Sequence, residues 1–205
     1  VKGAAELLEE KMPPEKQRQF IRNIQTETSR MQNMVNRMLQ LTAIERRKEL
    51  QTTEEIQLDT LIEDILEVMK PLYIRKKISV QTEFQPNIRI YGETFLVRLA
   101  VKNLIQNAVE FTPGGGEIRV TLTRKDSRPV VAVLNTGPGI PEYALQKIFH
   151  RFFSLPRPDT GKKSSGIGLT FVKETLKLHR GRVVLENRKD KSGVKAVLIF
   201  PPTDA

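Results

Sequence analysis

The chain has 205 residues, enough for one good core or for a core with an accessory piece. It contains no cysteine, which excludes disulfides, thiolate metal sites and a cysteine nucleophile, and no apolar stretch is long enough to cross a bilayer. The net charge is +10, but basic and acidic residues are interleaved and only 6% of residues are aromatic, so we expect a solvated basic surface and no nucleic-acid partner.

The first part of the chain is predicted to be helical. A helical segment, AAELLEE, is separated by the break KMPPEK from a longer pattern of residues three and four apart: Ile21, Ile24, Thr28, Met31, Val35, Met38 and Thr42. These segments form a helical hairpin over residues 1–48. Because two helices cannot bury such a face alone, we expect pairing with a second copy into a four-helix bundle. The alternative is that the face packs on the second domain of the same chain.

The polar stretch ERRKELQTTEE marks a domain boundary, and residues 54–205 follow an alternating α/β pattern. An α+β fold is therefore predicted, in which helices cover one face of a mixed sheet. Its predicted elements are a helix ended by Pro71 (58–72), strands (76–84 and 88–93), a long helix (93–112), a hairpin (117–126 with 128–135), a short helix (141–149), an irregular loop (154–165), a helix (166–178) and two strands (181–187 and 193–200).

Two asparagines on the long helix are the first candidates for a site. Asn103 and Asn107 are four residues apart and so share one face, next to apolar side chains. From the helix alone two interpretations stay open. The amides either bond to neighbouring backbone, or the Asn107 oxygen binds a hard cation such as Mg²⁺, which prefers oxygen ligands and accompanies phosphates.

Two glycine pairs point to a ligand pocket. Gly137 and Gly139 follow a strand that ends at Asn135, and they allow close approach of backbone to a ligand. Gly166 and Gly168 open a helix, where free N–H groups and the positive end of the dipole favour phosphate. Either pair alone is weak evidence, but the order of the asparagine helix, the two glycine pairs and the aromatic segment between them is far more specific.

In this order the motifs resemble the catalytic core of a sensor histidine kinase. NLIQNAVEFTP resembles the N box, LNTGPGIP the first glycine box, IFHRFFS the F box and SSGIGLTFV the second glycine box, while the first fifty residues resemble the end of the dimerisation and phosphotransfer domain. The amino-acid sequence of the later motifs looks most similar to that of the CreC branch of these kinases. The resemblance implies an ATP-binding fold shared with DNA gyrase B, Hsp90 and MutL, with a mobile lid before the second glycine box.

The resemblance also implies cofactors, partners and location. ATP and Mg²⁺ would bind the pocket, the chain would form a homodimer, and a response-regulator receiver domain would be its partner. The chain would be the cytoplasmic part of a membrane-anchored protein of the bacterial inner membrane.

Roles for single residues follow from the same resemblance. Asn107 would hold Mg²⁺ between the nucleotide phosphates, and Arg151 would lie near the terminal phosphate as a catalytic cation. The other implied nucleotide-binding positions are Asn103, Glu110, Phe111, Asn135, Gly137, Gly139, Ile140, Lys162, Lys163, Gly166, Gly168, Leu169 and Thr170. For the two lysines, solvated loop charges are an equally good interpretation.

The chain departs from the family pattern at the phosphoacceptor, which would lie upstream of Val1. Its two histidines, His150 and His179, are not on the first helix. We therefore expect this fragment to bind nucleotide without autophosphorylating in the normal way.

Two further departures concern the pocket. Glu110 stands where the family frequently has a basic residue, and it would repel phosphates if it pointed into the pocket. The alternative is that Glu110 faces solvent and that the lid lysines supply the compensating positive charge. Asn135 replaces the aspartate that accepts a hydrogen bond from adenine. Asparagine is a weaker acceptor and can also donate to a guanine carbonyl, so weaker ATP affinity and relaxed adenine selectivity are expected.

The leading functional hypothesis is a kinase core whose full-length protein phosphorylates its own histidine and passes the phosphoryl group to an aspartate of a response regulator. An alternative is a degenerate nucleotide-binding dimeric scaffold that acts on a regulator without kinase activity, for which Asn135 and Glu110 are the support. An ATPase or protein-serine kinase fits the glycine motifs but not the helical hairpin.

Overall fold

A computed structural model describes residues 13–202, so the predicted helical segment AAELLEE lies outside the described residues. The chain divides into two compact units, Val1–Ala43 and Ile44–Ala205. Helix α1, Pro14–Glu45, begins seven residues before Ile21, the first residue of the predicted pattern, because a proline is well tolerated in the first helical turn, where its missing N–H has no partner to lose. Within residues 13–202, no helix combines the length and apolar character that a membrane span requires.

Most of the second unit is an α/β sandwich. Its elements in chain order are β1 (Glu54–Gln57), α2 (Leu58–Arg75), β2 (Ser79–Phe84), β3 (Arg89–Gly92), α3 (Thr94–Phe111), β4 (Glu117–Lys125), β5 (Arg128–Thr136), α4 (Glu142–Leu145), α5 (Gly168–Leu178), β6 (Arg182–Asn187) and β7 (Gly193–Ile199). Five strands form a mixed sheet with the order β2-β4-β5-β7-β6, in which β2 and β4 are parallel and the other neighbouring pairs are antiparallel. Strands β1 and β3 form a separate antiparallel pair.

One hydrophobic core joins α2, α3 and α5 to the sheet. Residues at helical spacing on α3 are fully buried there, among them Val97, Ala100 and Leu104, and they meet inward-facing strand residues such as Val131 and Leu198. The alternation of buried and exposed residues along β4 confirms the predicted one-sided sheet. The α+β fold expected from the sequence is thus the one observed.

Two local predictions were wrong, and one strand was not predicted. Helix α2 continues past Pro71 to Arg75, because Pro71 lies on the exposed face, where the carbonyl that loses its partner remains accessible to water. The short helix after Pro141 covers only Glu142–Leu145. Strand β1 was not expected, because its charged sequence EEIQ forms a strand only through pairing with β3, with Ile56 buried as its inward residue.

A buried polar cluster joins the start of α3 to the end of α5. The Glu93 carboxylate pairs with the guanidinium of Arg47, and the backbone N–H of Glu93 donates to Nε2 of His179 at 3.1 Å. Nδ1 of His179 lies 2.7 Å from the Thr175 carbonyl, so the ring donates there and accepts at Nε2, as only a neutral imidazole does. Burial lowers the pKa of His179, which keeps the ring neutral in the folded protein.

Candidate functional site

A pocket opens between α3, β5, the start of α5 and the loops that join them. Its space is about 880 Å³ when the mouth open to solvent is included. The predicted site residues that line it are Asn107, Phe111, Asn135, Gly139, Ile140, Gly166, Gly168 and Leu169. The fold therefore brings the N box and both glycine motifs together at one pocket.

The two asparagines of α3 differ in their surroundings. Asn107 is half-buried and lines the pocket, and its amide makes no hydrogen bond to another described residue. Asn103 instead donates from Nδ2 to the Leu99 carbonyl at 2.9 Å, and it does not itself line the pocket. Its Oδ1 lies only 3.0 Å from where a Cβ on Gly168 would stand, so Asn103 supports the first residue of α5. Asn107 is therefore the amide left available for a ligand.

Asn135 is buried at the end of β5 and lines the pocket. Its Nδ2 donates to the carbonyl oxygen of Thr136 at 3.0 Å, and its Oδ1 has no hydrogen-bond partner among the described residues. Because only the amino end of the amide can face a carbonyl oxygen, this bond fixes the orientation of the side chain. Asn135 thus offers the acceptor Oδ1 to a ligand, while one of the two N–H groups of Nδ2 is already engaged.

The first glycine motif allows a close approach of chain segments. Gly137 has a φ of 147°, and a Cβ there would lie 2.4 Å from the Phe111 carbonyl oxygen at the end of α3. A side chain is therefore excluded at this position. Gly137 does not itself line the pocket, but it lets β5 end directly against α3, which places Asn135 and Phe111 in one wall.

A residue that the sequence did not indicate holds the next part of this wall. Asn187, at the end of β6, accepts from the Ile140 N–H at 2.6 Å and donates to the Ile140 carbonyl at 2.9 Å. A Cβ on Gly139 would lie 2.9 Å from the Asn187 side-chain oxygen. The backbone at Gly139 and Ile140 is therefore fixed by a side chain 47 positions away.

Helix α5 presents an uncapped N-terminus beside the pocket. It begins at Gly168 with no side-chain cap, so its first N–H groups are available at the positive end of the helix dipole. Gly166 has a φ of 67°, and a Cβ there would lie 2.5 Å from the Phe152 backbone. Thr170 does not line the pocket, and its hydroxyl donates to the Phe149 carbonyl at 3.1 Å.

The predicted cations do not line the pocket in this structure. Arg151 forms an ion pair with Glu45, both in the second compact unit. Lys162 and Lys163 are exposed and make no ion pair with a described residue. Among residues 13–202, no cluster of three or more histidine and acidic side chains suits a metal ion.

Glu110 is compensated by a different residue from the one expected. The lid lysines are not its partners. Its carboxylate pairs with Arg157, whose Nη2 lies 2.8 Å from Oε1, and it also accepts from Gln106 at 2.9 Å. The pairing was not predictable from spacing, because Arg157 lies in an irregular loop 47 positions away.

The apolar lining of the pocket was also missing from the predicted site. Strand and loop residues far apart in sequence form most of it: Leu104, Ala108, Val133, Ile148, Phe153, Leu155, Leu185, Val194 and Ala196. A flat aromatic ligand finds apolar walls there, with the oxygen of Asn135 as a polar contact.

Comparisons with known proteins agree with this architecture. Residues 92–204 match the family model described as "Histidine kinase-, DNA gyrase B-, and HSP90-like ATPase", and residues 1–47 match "His Kinase A (phospho-acceptor) domain". The chain is 38% identical to the Sensor protein CreC of Escherichia coli (strain K12), over 97% of this chain but only 41% of that protein.

Solved structures show the same similarity. The catalytic domain of histidine kinase ThkA superposes with a TM-score of 0.66 at 28% identity, covering 75% of this chain and 99% of that one. The structure of ThkA in complex with response regulator protein TrrA gives a TM-score of 0.74 at 26% identity, covering 94% of this chain and 53% of that one.

Proposed function

Because the chain belongs to the histidine kinase-, DNA gyrase B- and HSP90-like ATPase family, we propose that it is the ATP-binding catalytic core of a two-component sensor histidine kinase. The observation that carries the proposal is that Asn107, Asn135 and the uncapped start of α5 line one and the same pocket. These groups suit three parts of one ligand: a base that donates a hydrogen bond, a metal ion and a phosphate chain. In the full-length protein, the γ-phosphoryl group would pass to a histidine of the same protein and then to an aspartate of a regulator.

The base would lie between the apolar walls of the pocket with its amino group towards Oδ1 of Asn135. The phosphates would lie towards the first N–H groups of α5, where charge developing in phosphoryl transfer is stabilised without reorganisation. The roles implied for Arg151, Lys162 and Lys163 stay predictions, since each requires the side chain to reach the pocket from an exposed position.

The described residues provide too few oxygen ligands to bind a magnesium ion by themselves, so the ion fits the site only together with a nucleotide. Asn107 supplies one oxygen without a protein partner, and Mg²⁺ typically takes one or two protein oxygens with the rest from phosphates and water. When bound, the ion would neutralise charge on the phosphates. Asn107 would hold it and orient it against the phosphate chain.

The helical unit is proposed to form a homodimer. Several apolar residues of α1 are exposed in the single chain: Ile21, Met31, Met34, Val35, Met38 and Leu39. Such a stripe buries itself well in a four-helix bundle with a second copy. A response-regulator receiver domain is the proposed protein partner, supported by the similarity to ThkA, which has been solved in complex with a regulator. Attachment of the full-length protein to a membrane is proposed on the similarity to CreC.

Calorimetric titration of the chain with Mg-ATP tests the proposed pocket. We expect saturable binding of one nucleotide per chain, weakened about tenfold in Asn107→Ala and unchanged in Lys48→Ala, which changes an exposed residue outside the pocket. Absence of Mg-ATP binding would contradict the proposal. Autophosphorylation of the full-length protein separates the kinase from the scaffold without kinase activity, since the scaffold would bind nucleotide and form no phosphohistidine.

A further inference from the structure

Two ion pairs connect the loop between α4 and α5 to the ends of α2 and α3. We call residues 154–165 the rim segment, because both of its ends line the pocket. Arg157 of the rim segment pairs with Glu110 at the end of α3. Asp159 pairs with Lys76 just after α2, with Nζ and Oδ2 2.7 Å apart. The two pairs have opposite polarity, so general attraction between a basic loop and an acidic body does not explain them.

The contact between Arg157 and Glu110 is bidentate. Nε of Arg157 donates to Oε2 at 2.9 Å, and Nη2 lies 2.8 Å from Oε1. The two side chains are 29% and 18% exposed, so both are partly withdrawn from water. Nη1 of Arg157 has no hydrogen-bond partner among the described residues. The edge of the guanidinium formed by Nε and Nη2 is therefore occupied by the Glu110 carboxylate, and this edge is the one that binds a planar or tetrahedral oxyanion with two hydrogen bonds.

The position of Glu110 brings this guanidinium close to the pocket. Glu110 follows Asn107 by three residues on α3, so the two side chains are neighbours on one helix face. Asn107 and Phe111 both line the pocket on either side of Glu110 in sequence. Neither Glu110 nor Arg157 lines the pocket itself, but the ion pair holds Arg157 about one helical turn from Asn107, the residue proposed to bind the metal ion on the nucleotide phosphates.

We propose that Arg157 is a phosphate-binding residue, and that the Glu110 carboxylate competes with the phosphates of the nucleotide for its guanidinium. A carboxylate and a phosphate offer a guanidinium the same pair of acceptor oxygens, so one replaces the other on the fork. When the phosphates take the guanidinium, the Glu110 carboxylate is left unpaired and repels them. Glu110 therefore weakens nucleotide binding. This inference rests on the proposed function and names a cation of the same site.

The test measures the effect of Arg157 where the charge of Glu110 is absent. In wild type, Arg157→Gln alone is ambiguous, because it also leaves Glu110 unpaired. Glu110→Gln is expected to tighten ATP binding several-fold. Adding Arg157→Gln to that variant is expected to weaken ATP binding about tenfold, the size of a lost hydrogen bond to a charged group. Affinity for adenosine, followed by NMR titration, is expected to stay unchanged in both variants, which also shows that the pocket is folded.

Arg128→Gln in the same Glu110→Gln background is the matched control. It removes one exposed positive charge at the start of β5, seven residues from Asn135 and therefore about 23 Å along the strand. If Arg128→Gln weakens ATP binding as much as Arg157→Gln does, general charge explains the loss and the inference is overturned. Equal ATP affinity of Glu110→Gln with and without Arg157 also overturns it and leaves the proposed function standing. A wild-type chain that binds neither ATP nor adenosine contradicts both.

Discussion

The hydrogen bond between Asn135 and Thr136 makes a prediction about nucleotide choice. One N–H of Nδ2 donates to the Thr136 carbonyl at 3.0 Å, which orients the amide and leaves Oδ1 as an acceptor without a partner among the described residues. Adenine presents an amino donor to such an acceptor, whereas guanine would present a carbonyl oxygen and the two acceptors would repel each other. Against the expectation from the sequence, we now predict that the wild-type chain clearly prefers ATP to GTP.

Asn135→Asp tests the strength of the same contact. A hydrogen bond to a charged acceptor contributes about 1.5–3 kcal/mol and a neutral one about 0.5–1.5 kcal/mol, so the change is worth on the order of 1 kcal/mol. ATP affinity is therefore expected to rise about fivefold to tenfold. Thermal stability is expected to fall at the same time, because the carboxylate cannot donate to Thr136 and its charge is buried in a side chain that is 4% exposed.

Calorimetry with ATP and GTP, together with thermal melting, measures both effects. Asn87→Asp is the matched control, since it makes the same chemical change at an exposed turn residue between β2 and β3. It is expected to alter neither nucleotide affinity nor selectivity. If GTP binds the wild-type chain as tightly as ATP, or if Asn135→Asp leaves ATP affinity unchanged, the assigned orientation of Asn135 is wrong.

Three further predictions concern the metal, the rim of the pocket and pH. Asn107→Ala should lower ATP affinity about tenfold in Mg²⁺ but not in EDTA, measured by calorimetry, because only the metal-dependent part of binding uses its oxygen; an equal loss in EDTA would refute the role. Gly161 and Gly166 both have positive φ, 64° and 67°, but only at Gly166 would a Cβ meet backbone, 2.5 Å from Phe152. In urea unfolding, Gly161→Ala should therefore cost about 1–2 kcal/mol and Gly166→Ala clearly more, and equal losses would contradict the steric argument. Because burial lowers the pKa of His179 below its ordinary 6.5, the unfolded chain binds the extra proton first. The contribution of His179 to the free energy of unfolding should be complete above pH 6.5 and should decrease as the pH falls towards the lowered pKa of His179 in the folded protein. His179→Gln should flatten that part of the stability profile, and an unchanged slope in the variant would assign the titration to another group.

Local sequence patterns predicted those features that depend on neighbouring residues. The apolar spacing of α3 predicted a helix with one buried face, since helical periodicity brings residues three and four apart together regardless of the rest of the fold. Gly137 was predicted to allow an unusual backbone conformation with a close approach of chain segments, and it has a positive φ. Asn107 and Asn135 were predicted as site residues, and both line the pocket. These two residues belong to short contiguous motifs, which can be identified from the sequence without knowledge of the fold.

Tertiary structure decided the features that join distant segments. The segment EEIQ forms strand β1 only because it pairs with β3 through backbone hydrogen bonds. Glu110 found its counter-charge in Arg157, and the backbone of Ile140 found its support in Asn187, each 47 positions away. Nothing in local spacing specifies such pairs, because their energy depends on which oxygens and nitrogens the packed domain leaves together. The amino-acid sequence determined which chemical groups this protein has for a nucleotide, and the fold determined which of them are free to use.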